Sequence, residues 1–364
     1  MSLRKLALNV LIFIGSAHLV GCGGYAPSTP KTTPPPKAAA RFALVANFSS
    51  NSISSYAIDP QTGQLSPKTT LPTGGFHARV IAAEPSGNFV YVGNFASNDI
   101  STFVIDANTG DLAMVGSPVP AGGGPRFIVV GPTGNVLYSV NQEANTISGF
   151  SINPGTGALT PLSGTVSTDA APVELKFHPS GQFAYVANFN SGDVTVYRVD
   201  SSGALGLLGA TPAGLSPSAI SMDPSGRFAF IADFSSNNVA AFSVDQASGA
   251  LTRIGQPLAS GAGPTSITVD SRSRFLYVTN AVDGSVNTFA VDIATGALTQ
   301  RSTVSGGTNP VSLTLDASGR FAYVANLGSD SITLFTIDET TGALSAAGSP
   351  ASAGTGPAWV TLIN

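Results

Sequence analysis

From Arg41 onward the chain repeats one unit every 45 to 47 residues, seven times over, and this period constrains the fold more than any other feature. The copies begin at Arg41, Asn88, Asn135, Gln182, Arg227, Arg274 and Arg320, and they fill the 324 residues from Arg41 to Asn364 with no remainder. Each opens on an apolar run such as RFALVANF, QFAYVANF or RFAYVANL. A tight turn follows, built of residues that tolerate positive φ, as at Ser97-Asn98-Asp99 or Asp283-Gly284-Ser285. Next comes an alternating run, ISTFVID at Ile100 to Asp106 or ITLFTID at Ile332 to Asp338. A TG turn (Thr109-Gly110, Thr341-Gly342) leads into a weaker third run. A Gly/Pro-rich loop then enters a fourth apolar run, RFIVV at Arg126 to Val130, which closes on a PSG-like turn.

The hydrophobic period is two throughout, so each unit predicts four short antiparallel strands. Seven such units predict an all-β fold: a single seven-bladed β-propeller over residues 41–364. The array begins with the second strand of a blade, FALVAN, and ends with a first strand, Pro357 to Ile363. The two termini are therefore expected to share one blade and close the ring, leaving no free blade edge. Trp359, the only tryptophan, lies in that closing strand and is expected to pack between blades. Composition agrees: 43% of residues are hydrophobic and only 10% charged, with 41 glycines for turns. The net charge of −4, with Lys68 and Lys176 the only lysines beyond residue 40, argues against a nucleic-acid partner.

The first forty residues read as an address and a tether. Arg4 and Lys5 precede a short, mostly apolar run from Leu6 to Ile14, and Leu19-Val20-Gly21-Cys22 resembles a bacterial lipobox. Residues 1–21 are then a lipoprotein signal peptide, with Cys22, the only cysteine, as the lipidated residue. Residues 22–40, with Pro27, Pro30, Pro34, Pro35 and Pro36, comprise the lipidated Cys22 and a flexible linker, Gly23 to Ala40, reaching at most ~55 Å at ~3.1 Å per residue. This places the protein in the bacterial cell envelope, at the outer membrane or the periplasmic face, with the membrane met only through the lipid. A lone cysteine also excludes disulfides and thiolate metal clusters.

The repeat RFLYVTNAVDGSV, from Arg274 to Val286, resembles the YVTN propeller repeats of bacterial and archaeal surface proteins. The wider unit, with PSGRFAYVAN and TGAL, is similar to the propeller lactonases of the 6-phosphogluconolactonase type, and this resemblance spans the whole propeller. Those lactonases carry a P-H-x-H stretch in one blade, and G-P-R-H-F followed by N-E-L in the next. In this sequence Gly75-Phe76-His77-Ala78-Arg79 matches the first His and replaces the second by arginine. Gly124-Pro125-Arg126-Phe127 keeps the arginine but not the following His, and Gln142 then Glu143 follow Asn141.

Comparing each copy with the other six isolates the same region. Six residues before the PSG-like turn stand Arg79, Arg126, Val173, Ser218, Thr265, Val311 and Ala358, so two adjacent copies place arginine where the others are small or apolar. After the VAN-type asparagine stand Phe48, Phe95, Gln142, Phe189, Phe234, Ala281 and Leu327, of which only Gln142 is polar. Meander geometry predicts that Arg79, Arg126, Gln142, Glu143 and Glu174 crowd one rim of the central channel, with His77 beside them. Other acids have turn roles: Asp59, Asp106, Asp200, Asp245, Asp292 and Asp338 end equivalent strands, and His178 holds the place of the turn acids Glu84, Asp223, Asp270 and Asp316.

Two functions fit. In a lactonase, Arg126 and Arg79 would orient a carboxylate or stabilise the oxyanion of the lactone carbonyl, and His77 or Glu143 would activate water. Gln142, Glu174 and Asn141 would bind substrate, a cyclic ester of a sugar acid or similar compound. In a non-catalytic surface scaffold, the same rim would hold a glycan, an anionic ligand or a protein. No cofactor and no metal are expected, since no zinc, haem or nucleotide motif is present and the strand-end asparagines lack the paired carboxylates a calcium site needs. A monomer is expected.

Overall fold

Each second strand is mostly apolar up to a closing Asn or Asp and is buried along its whole length, from Phe42–Asn47 in the first copy to Phe321–Asn326 in the last. Such a run fits a strand covered on both faces, and here the covers are the neighbouring blades. The computed structural model describes residues 40–363 and holds seven antiparallel sheets around an axis, with no helix among the described residues. In blade 1 the order from the axis outward is Pro357–Ile363, Phe42–Asn47, Ser52–Ile58 and Leu65–Pro72. Blades 2 to 7 begin at the axis with Ala78–Ala83, Pro125–Val130, Pro172–Phe177, Pro217–Met222, Pro264–Val269 and Pro310–Leu315. The outer strand of blade 7 is split into Leu344–Ala346 and Ala351–Ser352, on either side of Gly348 and Pro350.

The expected ring closure is present. The last strand pairs antiparallel with the first, Ile363 opposite Phe42 and Val360 opposite Val45. The core continues one residue beyond the expected boundary, because Ala40, assigned above to the linker, is buried against Val45 and Tyr323. The signal, the lipidated Cys22 and the rest of the linker lie outside the described residues.

The TG turn proves to be the clamp between blades. In blade 5, Gly249 has φ of 74°, and a Cβ on it would lie 2.6 Å from the Phe183 ring of blade 4. Its carbonyl accepts the Tyr185 hydroxyl of that blade at 2.9 Å. The same pair, an aromatic wall and a tyrosine donor, joins Tyr91 to Gly157, Tyr277 to Gly342 and, across the ring closure, Tyr323 to Gly63. Glycine is required there twice over, for the positive φ and for the close approach of the ring.

The turn acids behave as read from the sequence. Asp59 takes the Gln61 and Thr62 amides at 2.8 and 2.9 Å, which holds its carboxyl below the usual range, and Asp338 repeats this with Thr340 and Thr341. His178 is buried, with Nδ1 against the Ser180 hydroxyl and Nε2 against the Gly226 carbonyl, so it is a turn residue.

Candidate functional site

Every inner strand carries a β-bulge at the same place. The register with the second strand shifts between Ala78 and Val80, Pro125 and Phe127, Pro172 and Glu174, and Pro264 and Ser266. The residue left without a partner is therefore Arg79, Arg126, Val173 and Thr265, and by the same shift Ser218, Val311 and Ala358 in the remaining blades. A bulge re-aims the extra side chain. All seven of these residues line one central cavity of about 100 Å³, joined by Phe127, Glu174, Leu327 and Trp359. Counting back from the turns thus located the lumen, and the bulge explains why that position points into it.

The two arginines meet in this lumen without partners. Both arginines are half-buried, neither guanidinium makes a hydrogen bond or an ion pair among the described residues, and the Arg79 Nε is fully enclosed with nothing to bond. Burial, together with the charge of Arg126, pushes the Arg79 guanidinium well below its ordinary value. Burial lowers Arg126 to about 10, while the nearby Glu174 carboxylate pulls it the other way. Arg79 keeps one soft contact, its guanidinium standing 5.6 Å from the centre of the Phe48 ring. Such a pair stabilises any anion that enters between them.

Glu174 lines the lumen, with one partner already on each carboxylate oxygen. One carboxylate oxygen accepts the Ile220 amide of blade 5 at 3.0 Å and the other pairs with Lys176 at 2.9 Å. It acts as a pin between inner strands, a role that hydroxyls play elsewhere around the ring. Ser266 accepts the Leu313 amide, Thr314 donates to the Val360 carbonyl, and Thr361 donates to the Ile81 carbonyl. Blades 2 and 3 place Ala82 and Val129 at the position of those threonines and send no such side-chain hydrogen bond on to the next blade among the described residues. The unpaired arginines sit in that unpinned arc.

Asn141 is a correction to the sequence reading. It is fully buried, its carbonyl accepts Ser139 at 2.8 Å, and its amide donates to Thr146 and Ser148 at 3.2 and 2.8 Å. With every polar atom occupied inside its own blade, it caps a strand and cannot reach a ligand. Glu143 is exposed and packs over Gly124, where a Cβ would meet its Cγ at 2.8 Å, and it does not line the lumen. Gln142 is half-buried at the mouth, its amide bonded to the Gly124 carbonyl at 2.8 Å, and it too stays outside the lumen lining.

His77 is exposed and, like Gln142 and Glu143, stays outside the lumen lining, in a preset conformation. Its φ is 60°, and its amide is held by the Asn51 side chain at 2.7 Å. The equivalent pivots in blades 3 and 6 are Gly124 and Gly263, held by Asn98 and Asn237, so histidine occupies a left-handed position used elsewhere by glycine. Its imidazole stacks on Phe48 at 4.2 Å. His77 and Arg79 thus rest on the same aromatic ring. Lys176, Phe127 and Trp359 were not singled out as site residues from sequence. They stand one or three places past the bulge, where strict alternation of faces gives no reason to expect them near the axis.

A family model for "Lactonase, 7-bladed beta-propeller" matches residues 37–124, 115–264 and 257–362. The chain belongs to this family. No curated protein matches it in sequence. Among solved structures, a periplasmic gluconolactonase from Pseudomonas aeruginosa superimposes with a TM-score of 0.80 at 22% identity, over 89% of this chain and 99% of that one. A candidate 6-phosphogluconolactonase from Bacteroides uniformis gives 0.80 at 21% identity over 90% of this chain and 100% of that one. A protein from Lactobacillus plantarum gives 0.79 at 23% over 89% and 100%. At these identities the likeness speaks for the fold alone, and the chemistry of this chain has to be argued from its own lumen.

Proposed function

We propose that the protein hydrolyses a cyclic ester at the mouth of its central channel. The observation that carries this reading is the pair of half-buried guanidiniums of Arg79 and Arg126, both lining the lumen without an ion-pair partner, in a family of lactonases. Attack of water on a lactone carbonyl builds negative charge on its oxygen, and donors already desolvated and aimed at that charge stabilise the transition state more than the ground state. After ring opening the same pair holds the product carboxylate. His77 is the base the geometry favours, because it shares the Phe48 ring with Arg79, whereas Glu143 is turned over Gly124 and both oxygens of Glu174 are engaged.

A screen of aldono-, aryl- and alkyl-lactones by pH-stat tests this directly. An accepted lactone should lose ~10²–10⁴-fold in kcat with His77→Ala. Unchanged turnover in that variant would remove His77 from the mechanism. The scarcity of free bases favours a second reading, a ligand-binding propeller without turnover, and silence across the panel from a folded protein would move the weight to it.

The lipobox-like Leu19-Val20-Gly21-Cys22 supports anchoring in the cell envelope through Cys22. With Cys22→Ser the protein should pass from the membrane to the soluble fraction, and a variant still pelleting with membranes would sink that assignment.

A further inference from the structure

Three of the rings that follow the second-strand asparagine or aspartate pack alike, each on the left-handed pivot of the next blade's entry loop. A Cβ at the pivot Gly124 would lie 3.1 Å from the Phe95 ring, and one at Gly263 would lie 3.0 Å from the Phe234 ring. In blade 2 the pivot is His77, and its imidazole lies on the Phe48 ring, with centroids 4.2 Å and planes 25° apart. The backbone of His77 is held on both sides, its amide by the Asn51 side chain at 2.7 Å and its carbonyl by the Phe95 amide at 2.9 Å. The ring is not held in this way, for His77 is exposed and neither imidazole nitrogen makes a hydrogen bond among the described residues. Such a ring turns among rotamers in water unless packing fixes it, and here the packing is the stack on Phe48. The Arg79 guanidinium, also without a hydrogen bond, stands 5.6 Å from the centre of the same ring. Phe48 itself is seated by its own blade, its amide bonded to the Gly356 carbonyl at 2.7 Å.

We propose that Phe48 is a positioning residue, whose ring sets the His77 imidazole and the Arg79 guanidinium in one fixed relation. The inference rests on the hydrolytic reading for what that pair does, and adds the group that holds the pair together. A general base and an oxyanion donor must keep their places relative to a single carbonyl, and a displacement of ~1 Å costs on the order of 10²-fold in rate. A flat π-face suits both partners, because imidazole stacks on it and a guanidinium is drawn to its electron-rich side. An aliphatic side chain of similar bulk fills the space without offering that face. Phe234 has the same packing duty on Gly263 with no histidine or arginine on its ring, so it separates positioning from packing.

The test uses the full chain and an accepted lactone. Phe48→Leu should cut kcat by ~10–100-fold while KM changes by less than about threefold, with Phe48→Met as the second aliphatic variant if Phe48→Leu does not fold. Phe48→Tyr, which keeps the ring, should stay within about threefold of the parent protein in kcat, and Phe234→Leu should leave kcat unchanged. A second readout does not depend on turnover. The chain has three histidines, His18, His77 and His178, so imidazole-labelled protein gives three ring signals in NMR, with His77→Ala to assign them. Loss of the Phe48 ring should carry the His77 ring proton downfield, out of the shielding above the π-face. His178, buried against Ser180 and Gly226, should not move. Equal losses of kcat in Phe48→Leu and Phe234→Leu overturn the proposal, and so do His77 signals that stay where they were. A loss in Phe48→Tyr as deep as in Phe48→Leu overturns it as well. His77 signals that move with Phe48→Leu in a protein that opens no lactone would refute the hydrolase reading and leave Phe48 as the seat of His77.

Discussion

Arg79→Leu is expected to raise the unfolding temperature while cutting lactone hydrolysis by ~10²–10³-fold, the usual loss when one preorganised oxyanion donor is removed. The two signs have one cause. Arg79 is half-buried beside Arg126 without a hydrogen bond or ion pair, and burial and that like charge lower its pKa. A cation whose folded-state pKa is depressed opposes folding at every pH where it stays charged, and guanidinium stays charged across the whole working range. Replacing it by an apolar side chain removes a half-buried charge that has no ion-pair partner, so a gain of about 1 kcal/mol is expected, or about a degree or two in Tm. A purely architectural arginine would give the opposite result, because its loss would remove packing on Phe48 and lower Tm. Thermal unfolding and turnover measured on one preparation separate the two cases. Stability and activity falling together would reject the anion-site assignment.

Deleting Pro357 to Asn364 is expected to abolish cooperative folding of the propeller. The strand Pro357–Ile363 supplies the inner edge of blade 1, pairing with Phe42–Asn47 along its length. It also takes the Thr314 hydroxyl of blade 7 on the Val360 carbonyl at 2.6 Å and gives the Thr361 hydroxyl to the Ile81 carbonyl of blade 2 at 2.9 Å. Val360 and Ile363 are buried, and Trp359 packs edge-on against Phe127 at 5.5 Å. Burial of large apolar side chains contributes ~1.5–3 kcal/mol each, so three of them already rival the ~5–15 kcal/mol net stability of a typical domain. Removing the strand also exposes the inner faces of two neighbours and reopens a ring that otherwise has no edge. Circular dichroism with denaturant titration reads the outcome, and a sharp unfolding transition near that of the full chain would show that closure contributes little.

The arginines were legible as a site because the chain carries its own control. Against five copies with small or apolar residues at one repeat position, two adjacent arginines stand out. His77 was visible through the family resemblance, and it stacks on Phe48, the ring that the Arg79 guanidinium also faces. Asn141 was misread as substrate-binding, because sequence shows that a residue is polar but not whether its polar atoms are already engaged. Asn141 engages them on Ser139, Thr146 and Ser148, whereas Glu174 lines the lumen with one partner on each oxygen, Ile220 and Lys176.

The sequence by itself determined the blade number, the strand order within each blade and the shared closing blade. Those follow from a repeat of fixed length, a hydrophobic period of two, and turn residues whose local φ preferences act without help from distant parts of the chain. Only the tertiary structure decided which side chains face the axis. The bulge in each inner strand breaks the alternation, so Arg126 and Phe127, neighbours that an ideal strand would send to opposite faces, both line the lumen. Whether a polar residue there is free or committed depends on the next blade, about 46 residues away in a repeat of this length, and that pairing exists only once the ring has closed.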